Sequence, residues 1–304
     1  MGIQILITIT ICSLIFWATV HFFFFKRIKK LSELIKSRRK DYSSSAGTRH
    51  PIKELEHQVE EWSEERRQEI EQVEKLENYR KEYLGNVSHE LKTPIFNIQG
   101  YISTLLDGGL EDKTINRDYL QKAMKSVDRM TAIVDDLQTI TQLEKGELEI
   151  EEERFDLTAL VKDIIESMDM KAGEKKISID LANDPAQPVF VFSDRFRIRQ
   201  VIVNLIVNSI RYGKENGKTT IKISDTGEKI IVDIVDSGIG IPKEHLSRVF
   251  ERFYRVDKSR SREMGGTGLG LSIVKHILEA HGQTIRVMST EGAGSVFSFT
   301  LKKG

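Results

Sequence analysis

The sequence predicts a membrane-anchored, multidomain protein. In order, it reads as one transmembrane helix, a coiled-coil linker, an α-helical hairpin that dimerises into a four-helix bundle, and an α/β two-layer sandwich. Three observations predict this. Residues 3–25 contain no Lys, Arg, Asp or Glu. Apolar residues at 3-4 spacing then run from Ile52 to Leu105 and again from Leu120 to Leu137, the period of amphipathic helices. From Phe155 onward, short β-rich runs alternate with long helical patterns, as in a sheet covered by helices.

Composition narrows the classes before any motif is read. A chain of 304 residues holds about two domains. Lys+Arg and Asp+Glu are 46 each, so net charge favours no polyanionic partner. Cys12 is the one cysteine, which excludes a disulfide framework or a cysteine metal site within one chain. No HExxH zinc signature and no GxxxxGK[ST] phosphate loop is present.

The apolar run at residues 3–25 is long enough, at about 1.5 Å per residue, to cross a hydrocarbon core of about 30 Å. Lys26, Arg27, Lys29 and Lys30 follow at once, which places that side in the cytoplasm. A basic n-region and a small-x-small cleavage site are both missing, so an uncleaved anchor over residues 1–25 is expected rather than a signal peptide. Only Met1 and Gly2 precede the run, so no extracytoplasmic domain is expected there. Localisation is then a single-pass inner or cytoplasmic membrane protein with its bulk in the cytoplasm.

Residues 26–75 form the juxtamembrane linker. Residues 26–40 read as a short basic helix, residues 43–48 (SSSAGT) as a break, and Pro51 as the first turn of a new helix. Ile52, Leu55, Val59 and Trp62, then Val73, Leu76, Tyr83 and Val87, keep one heptad register. Arg66, Glu69 and Arg80 interrupt that seam, giving a coiled coil with weakened layers. Helix, break, helix after a membrane span is similar to a degenerate HAMP-like linker, without the usual proline in the first helix.

Residues 76–148 read as the hairpin. Leu84, Val87, Leu91, Ile95, Ile98, Ile102 and Leu105 make one stripe. His89 lies about 160° around the helix from Val87, facing water, and Thr93 shares that face one turn on. Pro94 deprives the Glu90 carbonyl of its donor, so the helix should loosen or bend beside the histidine. Asp107-Gly108-Gly109 ends this helix, and Thr114 begins the second, whose stripe is Leu120, Ala123, Val127, Met130, Val134 and Leu137. Gly146 closes the unit. A lone hairpin leaves both seams half exposed, so a homodimer is expected.

In residues 153–304, helices are expected at 157–168, 195–212 and 269–281. Strands are expected at 177–181, 189–192, 221–223, 230–235 and 296–301. Three patches there fit together. Asn204 and Asn208 are i,i+4 on one helix face, with Arg211 and Tyr212 a turn further; neutral amide oxygens there suit Mg²⁺, which keeps waters and phosphate oxygens as its other ligands. Asp236-Ser237-Gly238-Ile239-Gly240 follows a strand, where a carboxylate can accept from an adenine amino group and glycines admit close approach. Gly265-Gly266-Thr267-Gly268-Leu269-Gly270 opens a helix whose free N–H groups can cradle phosphate.

The order and spacing of these patches resembles the sensor histidine kinases of two-component systems over about residues 83–301. Ser88-His89-Glu90-Leu91-Lys92-Thr93-Pro94 resembles the family's phosphoacceptor box, and Asn204-Leu205-Ile206-Val207-Asn208 its N box. DSGIGIP from Asp236 resembles the first glycine box, Phe250-Glu251-Arg252-Phe253-Tyr254-Arg255 the F box, and GGTGLGL from Gly265 the second glycine box. Arg211 stands where Lys is usual, which keeps the charge and changes its geometry; Gln283 replaces a common Gly.

The resemblance implies a dimerisation and phosphotransfer domain carrying His89 and a Bergerat-type ATP-binding domain. His89, Glu90 and Thr93 would be catalytic. Asn204, Asn208, Arg211, Tyr212, Asp236, Gly238, Gly240, Arg255, Gly266, Thr267, Gly268, Leu269 and Gly270 would bind ATP, with Asn208 holding Mg²⁺. Residues 256–264 would close as a lid. The product phosphohistidine would pass to an aspartate of a response regulator, and Thr93 implies a reverse phosphatase activity. The partners implied are that receiver domain, a second copy of the chain and the membrane, with no nucleic acid. A dimeric scaffold without catalysis and an ATPase without phosphotransfer are the alternatives; His89 in its box and the full set of nucleotide residues speak against them.

Overall fold

The computed structural model describes residues 2–37, 51–145, 149–182, 187–256 and 266–304. They form two compact units, residues 1–82 and 83–304. In the first, α1 (Gly2–Ser37) is a single helix. It carries both the apolar run and the basic residues that follow, because nothing between Phe25 and Lys26 breaks helical geometry. Residues 7–30 of α1 are long and apolar enough to cross a membrane and are wholly unburied by the rest of the chain. The break expected at residues 43–48 lies outside the described residues. Helix α2 (Pro51–Thr104) starts at its proline as expected and continues without interruption through Pro94.

The second unit begins with the last turns of α2. They end in one π-type turn, Leu105–Gly109, where Gly108 takes φ +103°. The next helix, α3 (Asn116–Glu144), starts two residues later than expected. The cause is Asp112, whose Oδ1 accepts from the Thr114 backbone N–H at 2.8 Å and its hydroxyl at 2.6 Å. That Asx-type turn holds Thr114 outside the helix. Gly146 lies outside the described residues.

The α/β part then runs β1 (Glu153–Asp156), α4 (Leu157–Gly173), β2 (Ser178–Ala182), β3 (Phe190–Ser193), α5 (Arg195–Tyr212), β4 (Lys218–Asp225), β5 (Lys229–Asp236), α6 (Gly270–Ala280), β6 (Ile285–Thr290) and β7 (Gly294–Lys302). A five-stranded sheet has the order β2-β4-β5-β7-β6, and β1 pairs with β3 separately. Only the β2–β4 pairing is parallel in the larger sheet. Ile230, Val232 and Ile234 of β5, and Phe297, Phe299 and Leu301 of β7, alternate into one buried face. Helices α4, α5 and α6 cover it and share its core, which is the expected two-layer sandwich.

Each covering helix has a local reason to start where it does. The Asp156 carboxylate accepts from the N–H groups of Thr158 and Ala159 and caps α4. Asp194 caps α5 through the Arg197 N–H, as short acceptors do at helix starts. On α5, Ile198, Val201, Ile202, Leu205, Ile206 and Ile210 are buried. That 3-4 spacing turns Asn204, Asn208 and Arg211 to the opposite face. The hairpin is tied in through α3: Ile140 is wholly buried in the sandwich core, and Leu137 and Leu143 pack against it.

Candidate active site

Two adjoining cavities lie where α5, the Asp236 turn, the F-box segment and the Gly266–Gly270 loop converge. The smaller, about 170 Å³, is lined by Asp236, Gly240, Tyr212, Asn208, Tyr254 and Arg255 among others. The larger, about 510 Å³, shares Asn208, Tyr212, Tyr254 and Arg255 and adds Asn204, Arg211, Thr267, Gly268 and Gly270. Patches separated by up to 66 positions in the chain, Asn204 to Gly270, are thus brought to one place.

The smaller cavity is built around a carboxylate at a strand end. Asp236 Oδ1 accepts from the Gly238 N–H at 2.8 Å and the Ser295 N–H at 3.3 Å. Burial pushes this carboxyl above the ordinary carboxylate range, and the two N–H groups oppose that shift. Its Oδ1 is thereby fixed by backbone, an arrangement that leaves Oδ2 for a ligand's amino group. Gly240 sits at φ +70°, and a Cβ there would collide with the Thr290 carbonyl. Apolar Ile241, Val249, Leu271 and Phe297 complete a wall suited to a flat ring.

The larger cavity is the more polar of the two. Burial lowers the pKa of Arg211 there, with Arg255 and Arg129 adding to the shift and Tyr212 and Asp136 opposing it. Its guanidinium lies so near Gly266 that a Cβ on that glycine would sit 2.9 Å from Nη1. Gly268 takes φ +75°, with the backbone of Phe253 closing over it; Phe253 N–H donates to the Gly268 carbonyl at 2.9 Å. Thr267 Oγ1 accepts from the Leu269 N–H at 3.2 Å, which fixes the loop just before α6. Leu269 itself is fully buried in the core, so only its backbone faces the loop.

The hairpin meets this site through Glu90. Its Oε2 accepts from Arg129 Nη2 at 3.0 Å and Arg255 Nη2 at 3.4 Å. Arg255 is 5% exposed and Glu90 13%, so the contact is shielded from water. Tyr83 packs on Phe253 with ring centroids 5.8 Å apart, and Arg252 stacks over Tyr83 at 5.7 Å. The F-box segment therefore docks on the hairpin. His89 is exposed, as its place on the helix requires, and Thr93 Oγ1 donates to the His89 carbonyl at 3.2 Å. Neither His89 nor Thr93 lines either cavity. The expected lid begins at Val256, which lines the smaller cavity; the remainder of it lies outside the described residues.

Three charged cavity residues escape the motif reading: Lys125, Arg129 and Asp136, all on α3. Asp136 Oδ2 accepts from Thr267 Oγ1 at 3.1 Å. Burial raises its pKa to about 6, with Thr267 and Arg211 opposing and Asp135 assisting. Their signal in the sequence is spacing. Lys125, Arg129, Ala132 and Asp136 recur at 4, 3 and 4 residues, one face of a helix.

Fold and cavities together define a nucleotide-binding sandwich joined to a helical hairpin that carries an exposed histidine. Residues 193–304 match the family model described as "Histidine kinase-, DNA gyrase B-, and HSP90-like ATPase". Residues 79–146 match the "His Kinase A (phospho-acceptor) domain". The chain belongs to the sensor histidine kinases. It is 36% identical over 234 residues to the sensor histidine kinase WalK of Bacillus subtilis, covering 76% of this chain and 38% of that protein. Against the sensor protein kinase WalK of Staphylococcus aureus it is 33% identical, covering 76% of this chain and 56% of that one. Among solved structures it is similar to the Acinetobacter baumannii histidine kinase AdeS, with a TM-score of 0.56, 29% identity, and 71% and 98% of the two chains covered. It is also similar to histidine kinase ThkA in complex with response regulator protein TrrA, with a TM-score of 0.53, 27% identity, and 73% and 61% covered.

Proposed function

We propose that this chain is an ATP-dependent protein-histidine kinase that phosphorylates its own His89 and passes the phosphoryl group to an aspartate of a response regulator. One observation carries the reading. The carboxylate beside His89 is paired with Arg255, and Arg255 lines both cavities that gather Asn208, Tyr212 and Asp236. A nucleotide seated in those cavities lies against the hairpin that bears the acceptor.

In this reading Asp236 accepts from the adenine amino group, and the glycines at 238 and 240 admit the ring. Asn204, Arg211, Tyr212 and the loop of Gly266, Thr267, Gly268, Leu269 and Gly270 hold the phosphates. Asn208 holds Mg²⁺, with Asn204 beside it; the neutral oxygen donors fit an ion that retains water and phosphate ligands. When bound, the ion offsets charge on the phosphates. Neutral His89 Nε2 attacks the γ-phosphorus in line. The P–O bond to ADP breaks as the N–P bond forms. Arg255 moves from Glu90 to the terminal phosphate, and the Glu90 carboxylate orients the ring through Nδ1–H. Thr93 serves the reverse, phosphatase direction.

The rest of the chain serves as platform and input. We place an anchor at residues 1–25, a linker at 26–75, the phosphotransfer hairpin at 76–148 and the ATP-binding domain at 153–304. The apolar, unburied residues 7–30 support the membrane assignment. Phe96, Leu106, Leu120, Met124 and Val134 stay exposed on a single hairpin, which supports a dimeric four-helix bundle. Val59, Trp62, Val73 and Leu76, exposed in heptad register, support a coiled coil. ThkA was solved with a response regulator, and this chain's likeness to it supports a receiver domain as partner.

Incubation of the full chain with γ-labelled ATP tests the reading. It should yield acid-labile, base-stable phosphate, absent from His89→Gln, whose nucleotide affinity should stay within about twofold. Equal labelling of His89→Gln would place the acceptor elsewhere.

A further inference from the structure

The larger cavity has a wall that none of the nucleotide motifs supplies. Helix α3 contributes Lys125, Arg129 and Asp136 to it, facing Arg211, Asn208 and Thr267 of the sandwich. Among the described residues, four cationic side chains (Lys125, Arg129, Arg211 and Arg255) meet two carboxylates, Asp136 in the cavity and Glu90 at its edge. Positive charge is in excess by two. Burial is the main cause that lowers the Arg211 pKa; Arg255 and Arg129 add to it, against Tyr212 and Asp136. Arg129 also has donors to spare. Its Nη2 is committed to Glu90, while its buried Nε has no hydrogen-bond partner among the described residues. A buried, unpaired guanidinium N–H is costly and is retained where a ligand can satisfy it once the group turns. Like charges brought together in a concave site mark a place for an anion.

We infer that α3 of the hairpin forms the outer wall of the nucleotide's terminal-phosphate subsite, with Arg129 and Lys125 as its anion-binding residues. The inference rests on the ATP-site reading and extends it. The hairpin does more than present His89; it reads whether the bound nucleotide carries a third phosphate. Arg129 bridges the two events, since the side chain that would take the phosphate now holds Glu90, next to the acceptor. Asp136 supplies the opposing charge. Its bond to Thr267 ties α3 to the phosphate loop, and a terminal phosphate entering beside it repels that carboxylate. A diphosphate, one phosphate shorter, leaves the α3 wall untouched.

Calorimetric titration of the full chain in nanodiscs, with AMPPNP and separately with ADP, tests this without turnover. Arg129→Gln should weaken AMPPNP about tenfold and leave ADP within about twofold. Arg129→Lys should recover most of the difference by keeping the charge. Lys125→Gln, on an exposed side chain whose loss leaves the fold intact, should reduce the preference for AMPPNP about threefold. A merely structural role for Arg129 moves both nucleotides together, and that result, or an unchanged preference in Lys125→Gln, overturns the inference. Failure of the unmodified chain to bind either nucleotide would instead overturn the ATP-site reading itself.

Discussion

Asp136 shows how one residue's environment becomes a measurable pH dependence. Its carboxyl titrates near 6 in the fold against 3.8 in an ordinary setting, chiefly because it is desolvated. The folded state therefore binds more protons than the unfolded state between those values, and stability rises as pH falls through that window. At pH 7 the wild type carries the whole cost of the buried charge. Asp136→Asn removes it and can still accept from Thr267. The variant should melt a few degrees higher at pH 7.5, on the order of 1 kcal/mol, and the gain should shrink at pH 5. Melting curves at the two pH values decide it; a gain that grows on acidification contradicts the assignment. Asp236 belongs to the same scale with another outcome. Its Oδ1 is held by two backbone N–H groups, so Asp236→Asn should preserve the fold and weaken adenine nucleotides at least tenfold. Asn208→Ala should instead abolish the Mg²⁺-dependent part of labelling, and equal, unimpaired behaviour of both variants would remove the site.

At the scale of elements, the loop before α6 and the F-box segment are locked backbone to backbone. Gly268 at φ +75° leaves 2.8 Å between a hypothetical Cβ and the Cα of Phe253, and Phe253 is itself at φ +57°, a region bulky residues avoid. Gly268→Ala should cost about 1–3 kcal/mol and loosen the F-box segment from the hairpin, read as faster amide exchange around Tyr254. Unchanged exchange there would show the two segments to be independent. The linker part of α2 is controlled by softer forces. Arg66 and Glu69 interrupt its apolar seam and bond each other at 2.6 Å, both about two-thirds exposed. Replacing both with Leu should strengthen a coiled coil and bias one output state, moving the ratio of autokinase to phosphatase rates about tenfold, about 1.4 kcal/mol. A wild-type ratio would make the segment a passive spacer. Elements with a strong period were legible: α5 matches its expected bounds, 195–212, and Pro51 starts its helix. Strands β1 and β6 were not. In β1 only Phe155 is buried, and in β6 Ile285 and Val287 alternate with Arg286 and an exposed Met288. Both depend on a distant partner strand, which a local pattern cannot reveal.

At the scale of the whole chain, the motifs marked out Asn204, Asn208, Arg211, Tyr212, Asp236 and Arg255 as one group, and two adjoining cavities gather them. The hairpin's share of the site was not legible. Lys125, Arg129 and Asp136 share one helix face, and such a stripe reads as solvated surface until a second domain is seen to cover it. The ties between hairpin and sandwich within one chain include Glu90 to Arg255, Asp136 to Thr267, and Tyr83 to Phe253. They bring α2, the helix of His89, against cavity-lining segments of the same chain, and on the proposed reading phosphoryl transfer is then expected in cis. A heterodimer tests this most directly. One chain carries His89→Gln with an intact nucleotide site, and its partner carries Asn208→Ala with an intact histidine. Purified through two different tags and given γ-labelled ATP, this pair should remain unlabelled, while a wild-type and His89→Gln pair labels on the wild-type chain. Phosphate on His89 of the Asn208→Ala chain would contradict the arrangement and show that each nucleotide site serves the other chain's histidine.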